Sequence, residues 1–152
     1  MILKIDSDAA YLVAPGSRSR VAGYFQLNSN QCSNPNVNAA ILVECKTLHV
    51  VVSSAEAKTA GVFHNAQRAV PIRYMLQQLG HPQPQIPIKM DNETTNNFIY
   101  NNITQKRSKS LDTQYYWLCD KKKQKNFDFI GTDLKLTMPI MGLNISQRFI
   151  ID

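Results

Sequence analysis

Residues 43–73 read VECKTLHVVVSSAEAKTAGVFHNAQRAVPIR, and the change of period inside this stretch decides how the chain is built. Its first part continues a β-rich run that starts at Ala39 and extends to Leu48, AAILVECKTL, where branched side chains suit a pleated surface. Ser53 and Ser54 then offer an N-cap, and AEAKTAGVFHNAQRA predicts a helix that buries Val62, Ala66 and Ala69. Pro71 is placed to begin a second helical segment, Ile72 to Leu79, which Gly80 ends.

On the N-terminal side, Ile2 to Asp8 alternates, with Ile2 and Lys4 on one face and Leu3 and Ile5 on the other, as in a short strand. Pro15 and Gly16 mark a turn, VAGYFQL (21–27) is a second strand, and NSNQCSNPN (28–36) is a polar hairpin loop before the Ala39 run. Three successive antiparallel strands are the simplest arrangement. On the C-terminal side, HPQPQIP (81–87) leads to IKMD, a short buried strand ending in Asp91. A helix is expected from about Thr94 to Asn101. Another runs from Leu111 to about Lys123, with Leu111, Tyr115 and Leu118 facing the core, and Asn126 to Ile130 is a fifth strand. The order β-β-β-α-α-β-α-α-β describes an α/β domain, a five-stranded mixed sheet with helices packed on it.

The chain's 152 residues leave room for one sizeable core, and 43% hydrophobic residues are enough to pack it. A net charge of +6 is compatible with a polyanionic partner, although by itself it is a weak indication. Cys32, Cys45 and Cys119 are odd in number and widely spaced, so neither a disulfide framework nor a zinc site is indicated. No apolar run reaches bilayer length and the start lacks a signal-peptide pattern, so an intracellular protein, cytoplasmic or nuclear, without a membrane partner is expected. The N-x-S/T triplets at Asn92, Asn102 and Asn144 then read as chance matches. His49, His64 and His81 have no spacing that makes a ligand set.

Asp8 and Asp91 are each expected at a strand end, where carboxylates from different elements can converge. On spacing alone both also fit ordinary turn or strand-end residues. The surrounding words narrow the choice. SDAAYL (7–12) with SRSRVAGYFQL (17–27), the opening stretch 43–73, LGHPQP (79–84), KMDN (89–92) and KRSKSLDTQYYWL (106–118) stand in the order found in one family. Together they resemble the ribonuclease H domain at the C-terminal end of copia-type retrotransposon polyproteins, over roughly residues 2 to 130.

The resemblance implies a ribonuclease H-like fold and, in the family, two-metal hydrolysis of the RNA strand of RNA:DNA hybrids by four carboxylates and two Mg²⁺ ions. Asp8 matches the first carboxylate and Asp91 the third, with Asp6 a competitor for the first role or else a solvated strand residue. The family helix opens S-x-A-E-A-E, and its later Glu falls on Lys58 here, a disrupted site position. Glu56 remains as the alternative catalytic and metal residue, but two residues along a helix turn a side chain by about 200°. Lys106, Arg107, Lys109, Lys121, Lys122 and Lys123, together with Lys125, flank or end the last helix. They either track phosphates of a hybrid or form a solvated face.

The last family carboxylate belongs to an A-D-Y-x-T-K-H-x-P motif that this chain lacks; LTMPIMGLNISQRFIID (136–152) stands in its place. Reading each codon's third base with the next two forces alanine from Met138-Pro139 and glycine from Met141-Gly142. Synonymous choices elsewhere allow NYADYGTKHQPAIHHR. Residues 1–131 are thus expected to be the ribonuclease H-like domain and 132–152 a divergent, frameshifted tail. The expected activity is impaired. The alternatives are a non-catalytic nucleic-acid-binding remnant and a decayed reading frame.

Overall fold

The structure is a computed structural model that describes residues 1–29, 39–49, 51–90 and 109–131. Five strands form one sheet in the order β3-β2-β1-β4-β5. In chain order the elements are β1 (Ile2–Ala14), β2 (Arg18–Asn28), β3 (Ala40–Thr47), α1 (Ser54–Gln78), β4 (Ile86–Met90), α2 (Lys109–Lys123) and β5 (Phe127–Gly131). The first three strands are antiparallel neighbours, while β4 runs parallel to β1 and β5 parallel to β4.

β1 does not stop at Asp8. It runs on to Ala14 because β2 offers pairing along its whole length, from Ile2 opposite Asn28 to Ala10 opposite Arg20. The register then shifts and resumes with Ala14 opposite Arg18. Within that irregularity Leu12 takes φ 57° and donates its N–H to Ser19 Oγ at 3.2 Å, so a side chain replaces the lost ladder bond. The expected turn follows, with Gly16 at φ 72°.

The two expected helices on either side of Pro71 are one, α1, which passes through the proline. Proline removes the bond to the carbonyl four residues back. Here that residue is Gln67, and both Gln67 and Pro71 are exposed, so the lost bond falls on the solvent side of the helix. Around them Ala66, Ala69 and Leu76 hold the helix on the sheet. The Thr94–Asn101 helix lies outside the described residues. α2 begins two residues before Leu111.

α1 packs on the face formed by Leu3 and Ile5 of β1, Phe25 of β2, Ile86, Ile88 and Met90 of β4, and Phe127 and Phe129 of β5. Leu118 of α2 is fully buried in the same core. Trp117 meets Phe63 of α1 edge-on at 5.2 Å, so both helices share one side of the sheet. Among the described residues, no helix is long and apolar enough to cross a membrane.

Arg73 ties the helix to two connections: its guanidinium donates to the carbonyls of Gln83 at 2.8 Å, Asn126 at 3.1 Å and Pro84. Replacing it with alanine leaves these acceptors to water and is expected to lower stability by about 1–3 kcal/mol, read as a lower urea midpoint with an unchanged m-value.

Candidate nucleic-acid site

The parallel β1–β4 ladder is short, with Ile5, Asp6 and Ser7 opposite Ile88, Lys89 and Met90. On the β4 flank of β1, the amides just beyond each end of this ladder are met by side chains. Before it, Leu3 N–H is accepted by Gln83 Oε1 at 3.0 Å. After it, Ala9 N–H, which strand alternation points to the same flank, is accepted by Asp8 Oδ1 at 2.8 Å. Asp8 therefore stands at the fork where β4 ends and β1 continues along β2 with Asp8 opposite Ala22. Asp91, the residue after Met90 in the sequence, lies outside the described residues.

The first turns of α1 lie over this fork. Ala57 and Ala60 pack with Ala9, Val21 and Leu48. A Cβ on Gly61 would be 3.1 Å from Val21 Cγ1 and 3.5 Å from Ala9 Cβ, so the small residue lets helix and sheet approach. One turn on, the buried Asn65 donates to Ser7 Oγ at 2.8 Å and to Ala22 O at 3.0 Å. Asn65 thereby bridges the residues adjoining Asp8 on β1 and opposite it on β2. No motif marks Asn65 in the sequence; only its phase does, four residues after Gly61 and four before Ala69 on the apolar face.

Glu56 caps α1. Its Oε2 accepts Val52 N–H at 2.8 Å, while its own N–H donates to Ser53 Oγ at 3.1 Å. The Ser53 hydroxyl thus satisfies one helix-end donor, and the Glu56 carboxylate holds the chain just ahead of the N-cap. Lys58 sits in the opening turn of α1, half-buried. Among the described residues, no three His, Cys, Asp or Glu side chains converge to hold a metal ion.

Asp6, two residues before Asp8 on the same face, does not fit the second of its two readings, a solvated strand residue. It is partly buried, and Gln26 Nε2 donates to its Oδ2 at 3.4 Å. Burial raises its carboxyl above the ordinary aspartate value, and Lys89 and Lys4 pull it part of the way back. An acid whose folded value is raised binds more protons folded than unfolded, so its contribution to stability is full at low pH and lost as pH rises through the folded value. Urea unfolding from about pH 3 to 7 is expected to show the native chain losing ground against Asp6→Asn between the unfolded value of 3.8 and the raised folded value, and holding a constant difference above the latter. Parallel curves throughout would mean that Asp6 is not perturbed.

Among the described residues, the candidate basic side chains do not form one cluster. Lys121, Lys122 and Lys123 close α2 just before β5, whose first residue, Phe127, pairs with Ile86 at the start of β4. They therefore lie at the end of the sheet away from Asp8 and Met90. Lys109, at the other end of α2, is about 21 Å from Lys123 along a helix rising 1.5 Å per residue. Lys106 and Arg107 lie outside the described residues. Lys121 Nζ sits 5.6 Å from the centre of the Trp117 ring and donates to Gln124 Oε1 at 3.0 Å. Burial lowers the Lys122 ammonium, against the pull of Cys119 and Asp128, whereas Lys123 is exposed.

No protein-family model matches the sequence, and no curated protein matches it significantly. Solved structures do match in three dimensions. The LC11-RNase H1 structure in complex with an RNA/DNA hybrid superposes with a TM-score of 0.60 at 8% identity, over 88% of this chain and 86% of that one. The N-terminal RNase H domain of rv2228c from Mycobacterium tuberculosis gives 0.56 at 10% identity, over 86% and 82%. The RNase H domain of the prototype foamy virus gives 0.52 at 14% identity, over 97% and 85%. Agreement of fold at such low identity rests on strand order and helix placement, and by these the chain has the ribonuclease H-like fold.

Proposed function

We propose that this chain is a copia-type, retroelement-derived ribonuclease H-like domain that engages RNA:DNA hybrid or other nucleic acid and whose hydrolysis of the RNA strand is weak or absent. The observation that carries the reading is Asp8, the residue in the family's first-carboxylate word, at the fork where the β1–β4 ladder ends. The ordered words of the copia-type family give the ancestry, and the fold agrees with them. The structure of LC11-RNase H1 with an RNA/DNA hybrid makes such a hybrid the natural ligand to test.

Weakness follows from the carboxylates. Paired Mg²⁺ ions held by converging carboxylates supply an activated water and screen charge on the leaving oxygen. The described residues alone do not complete such a site: no three acidic, His or Cys side chains among them converge, and Lys58 stands where the family carries its second acid. Asp91 is the further ligand in this proposal. The segment 132–152 lies outside the described residues, and we assign it to a frameshifted translation. The encoding DNA, corrected by one or two bases near Gly131, is expected to restore the alanine-aspartate-tyrosine motif and paired histidines; their absence from every frame would make the tail a genuine replacement.

The direct test is cleavage of a labelled RNA:DNA hybrid by the full chain in Mg²⁺ or Mn²⁺. Very slow or undetectable cutting is expected. Robust metal-dependent turnover that Asp91→Asn abolishes would overturn the impaired reading.

A further inference from the structure

Among the described residues β3 is an edge strand, and its outer edge carries a self-complementary pattern. Leu48 donates its N–H to Ser19 O at 2.7 Å, so Leu48 faces β2, and by alternation so do Lys46 and Glu44. Val43, Cys45 and Thr47 consequently direct their N–H and C=O groups outward. Cys45 and Thr47 are exposed, as is the Val43 side chain, at 41%. α1 packs chiefly on β1 and β2, which leaves the outer side of β3 uncovered by the described helices. Natural sheets usually protect such an edge, because a row of unpaired backbone groups invites another strand.

We infer that β3 pairs antiparallel with β3 of a second copy of this chain, about a two-fold axis at Cys45. In that register Cys45 exchanges both backbone bonds with the partner's Cys45, and Val43 and Thr47 each exchange theirs with the partner's Thr47 and Val43. Glu44 then stands opposite the partner's Lys46, and Lys46 opposite the partner's Glu44, giving two opposite-charge cross-strand pairs by symmetry. A centre one residue earlier places Glu44 against the partner's Glu44, and one residue later sets Lys46 against the partner's Lys46. Charge therefore selects the Cys45 centre. Glu44 already receives Arg68, with Nε at 2.9 Å from Oε1, and a carboxylate retains acceptor capacity for a second cation on the same face. The two-fold is normal to the sheet, so both copies of α1 remain on one side of a continuous sheet.

The contact is one strand wide, so a weak, concentration-dependent dimer is expected rather than a permanent one. Sedimentation of the full chain from about 1 µM to 1 mM is expected to show the average mass rising from monomer toward dimer. K46E puts like charges at both flanking positions and should move the midpoint at least about tenfold upward, while E44K/K46E restores it to within about threefold. Val43→Pro removes an outward N–H without touching the β2 ladder and should abolish the dimer, with circular dichroism checking that the fold survives. In a Cys32→Ser/Cys119→Ser chain, mild oxidation should trap a covalent Cys45–Cys45 dimer without any change to the charges on β3. A chain that stays monomeric throughout and forms no such cross-link overturns the inference. So does a dimer indifferent to K46E and Val43→Pro, since its contact lies elsewhere.

Discussion

Gly23→Ala is expected to cost about 3 kcal/mol of folding free energy, a large share of the total for a domain of this size. A methyl group there would lie 2.2 Å from Asn65 Oδ1, 2.8 Å from Asn65 Cγ and 2.9 Å from a ring carbon of Phe25. None of these neighbours is free to yield. Asn65 is held by its bonds to Ser7 Oγ and Ala22 O, and Phe25 is fully buried. If the amide swings away, two buried acceptors lose their donor at roughly 1–3 kcal/mol each; if it stays, the backbone of β2 must shift. The opposing gain, from replacing a glycine inside a strand, is only about 0.5–1 kcal/mol. Asn65→Ala destabilises on its own account by removing those bonds, yet it also makes room for the methyl. The double variant is therefore expected to be less destabilised than the sum of the single ones by at least about 1 kcal/mol. Urea unfolding of the four chains measures this coupling. Additive losses would mean that the helix and the β1–β2 pair are not joined through this amide.

The second large effect concerns binding. If Lys121, Lys122 and Lys123 each neutralise one phosphate of an RNA:DNA hybrid, the logarithm of the association constant falls with the logarithm of salt at a slope of about −2.7. Raising salt from about 50 to 200 mM then weakens binding roughly 40-fold. Replacing the three lysines with glutamine is expected to flatten the slope by the same amount. Unequal single effects are also expected. Lys123 is exposed and available, while Lys121 is engaged with Trp117 and Gln124, so Lys123→Gln should remove close to one unit of slope and Lys121→Gln less. Fluorescence anisotropy with a labelled hybrid, repeated across salt, reads all of these. A salt slope unchanged in the triple variant would assign these lysines to a solvated face.

The strands and caps that carry the candidate residues were readable from short words along the chain, because the local rules of strands and caps are strong. Ser53 as the N-cap of α1 is such a case, since its hydroxyl needs only the amide three residues on. Glu56 is the counterexample. Its place in the motif made it a candidate ligand, whereas its carboxylate caps the helix through Val52, and the relation between these two roles depends on where the helix end faces. Lys109 and the run Lys121 to Lys123 stand at opposite ends of α2, as their flanking positions in the sequence imply.

By itself the sequence determined the five strands, their alternation, the antiparallel start and the helix that follows Ser53. Each of these rests on a period of two or 3.6 residues, or on a cap, within a few positions. Only the tertiary structure decided that β1 runs through Asp8 to Ala14, since a strand lasts as long as its neighbour pairs with it and β2 is distant in sequence. It also decided that α1 continues through Pro71, because whether a lost helix bond breaks a helix depends on whether its carbonyl meets solvent or core. And it alone placed Asp8 at the fork between β1 and β4: parallel pairing joins residues some eighty positions apart, and no local pattern records where such a ladder ends.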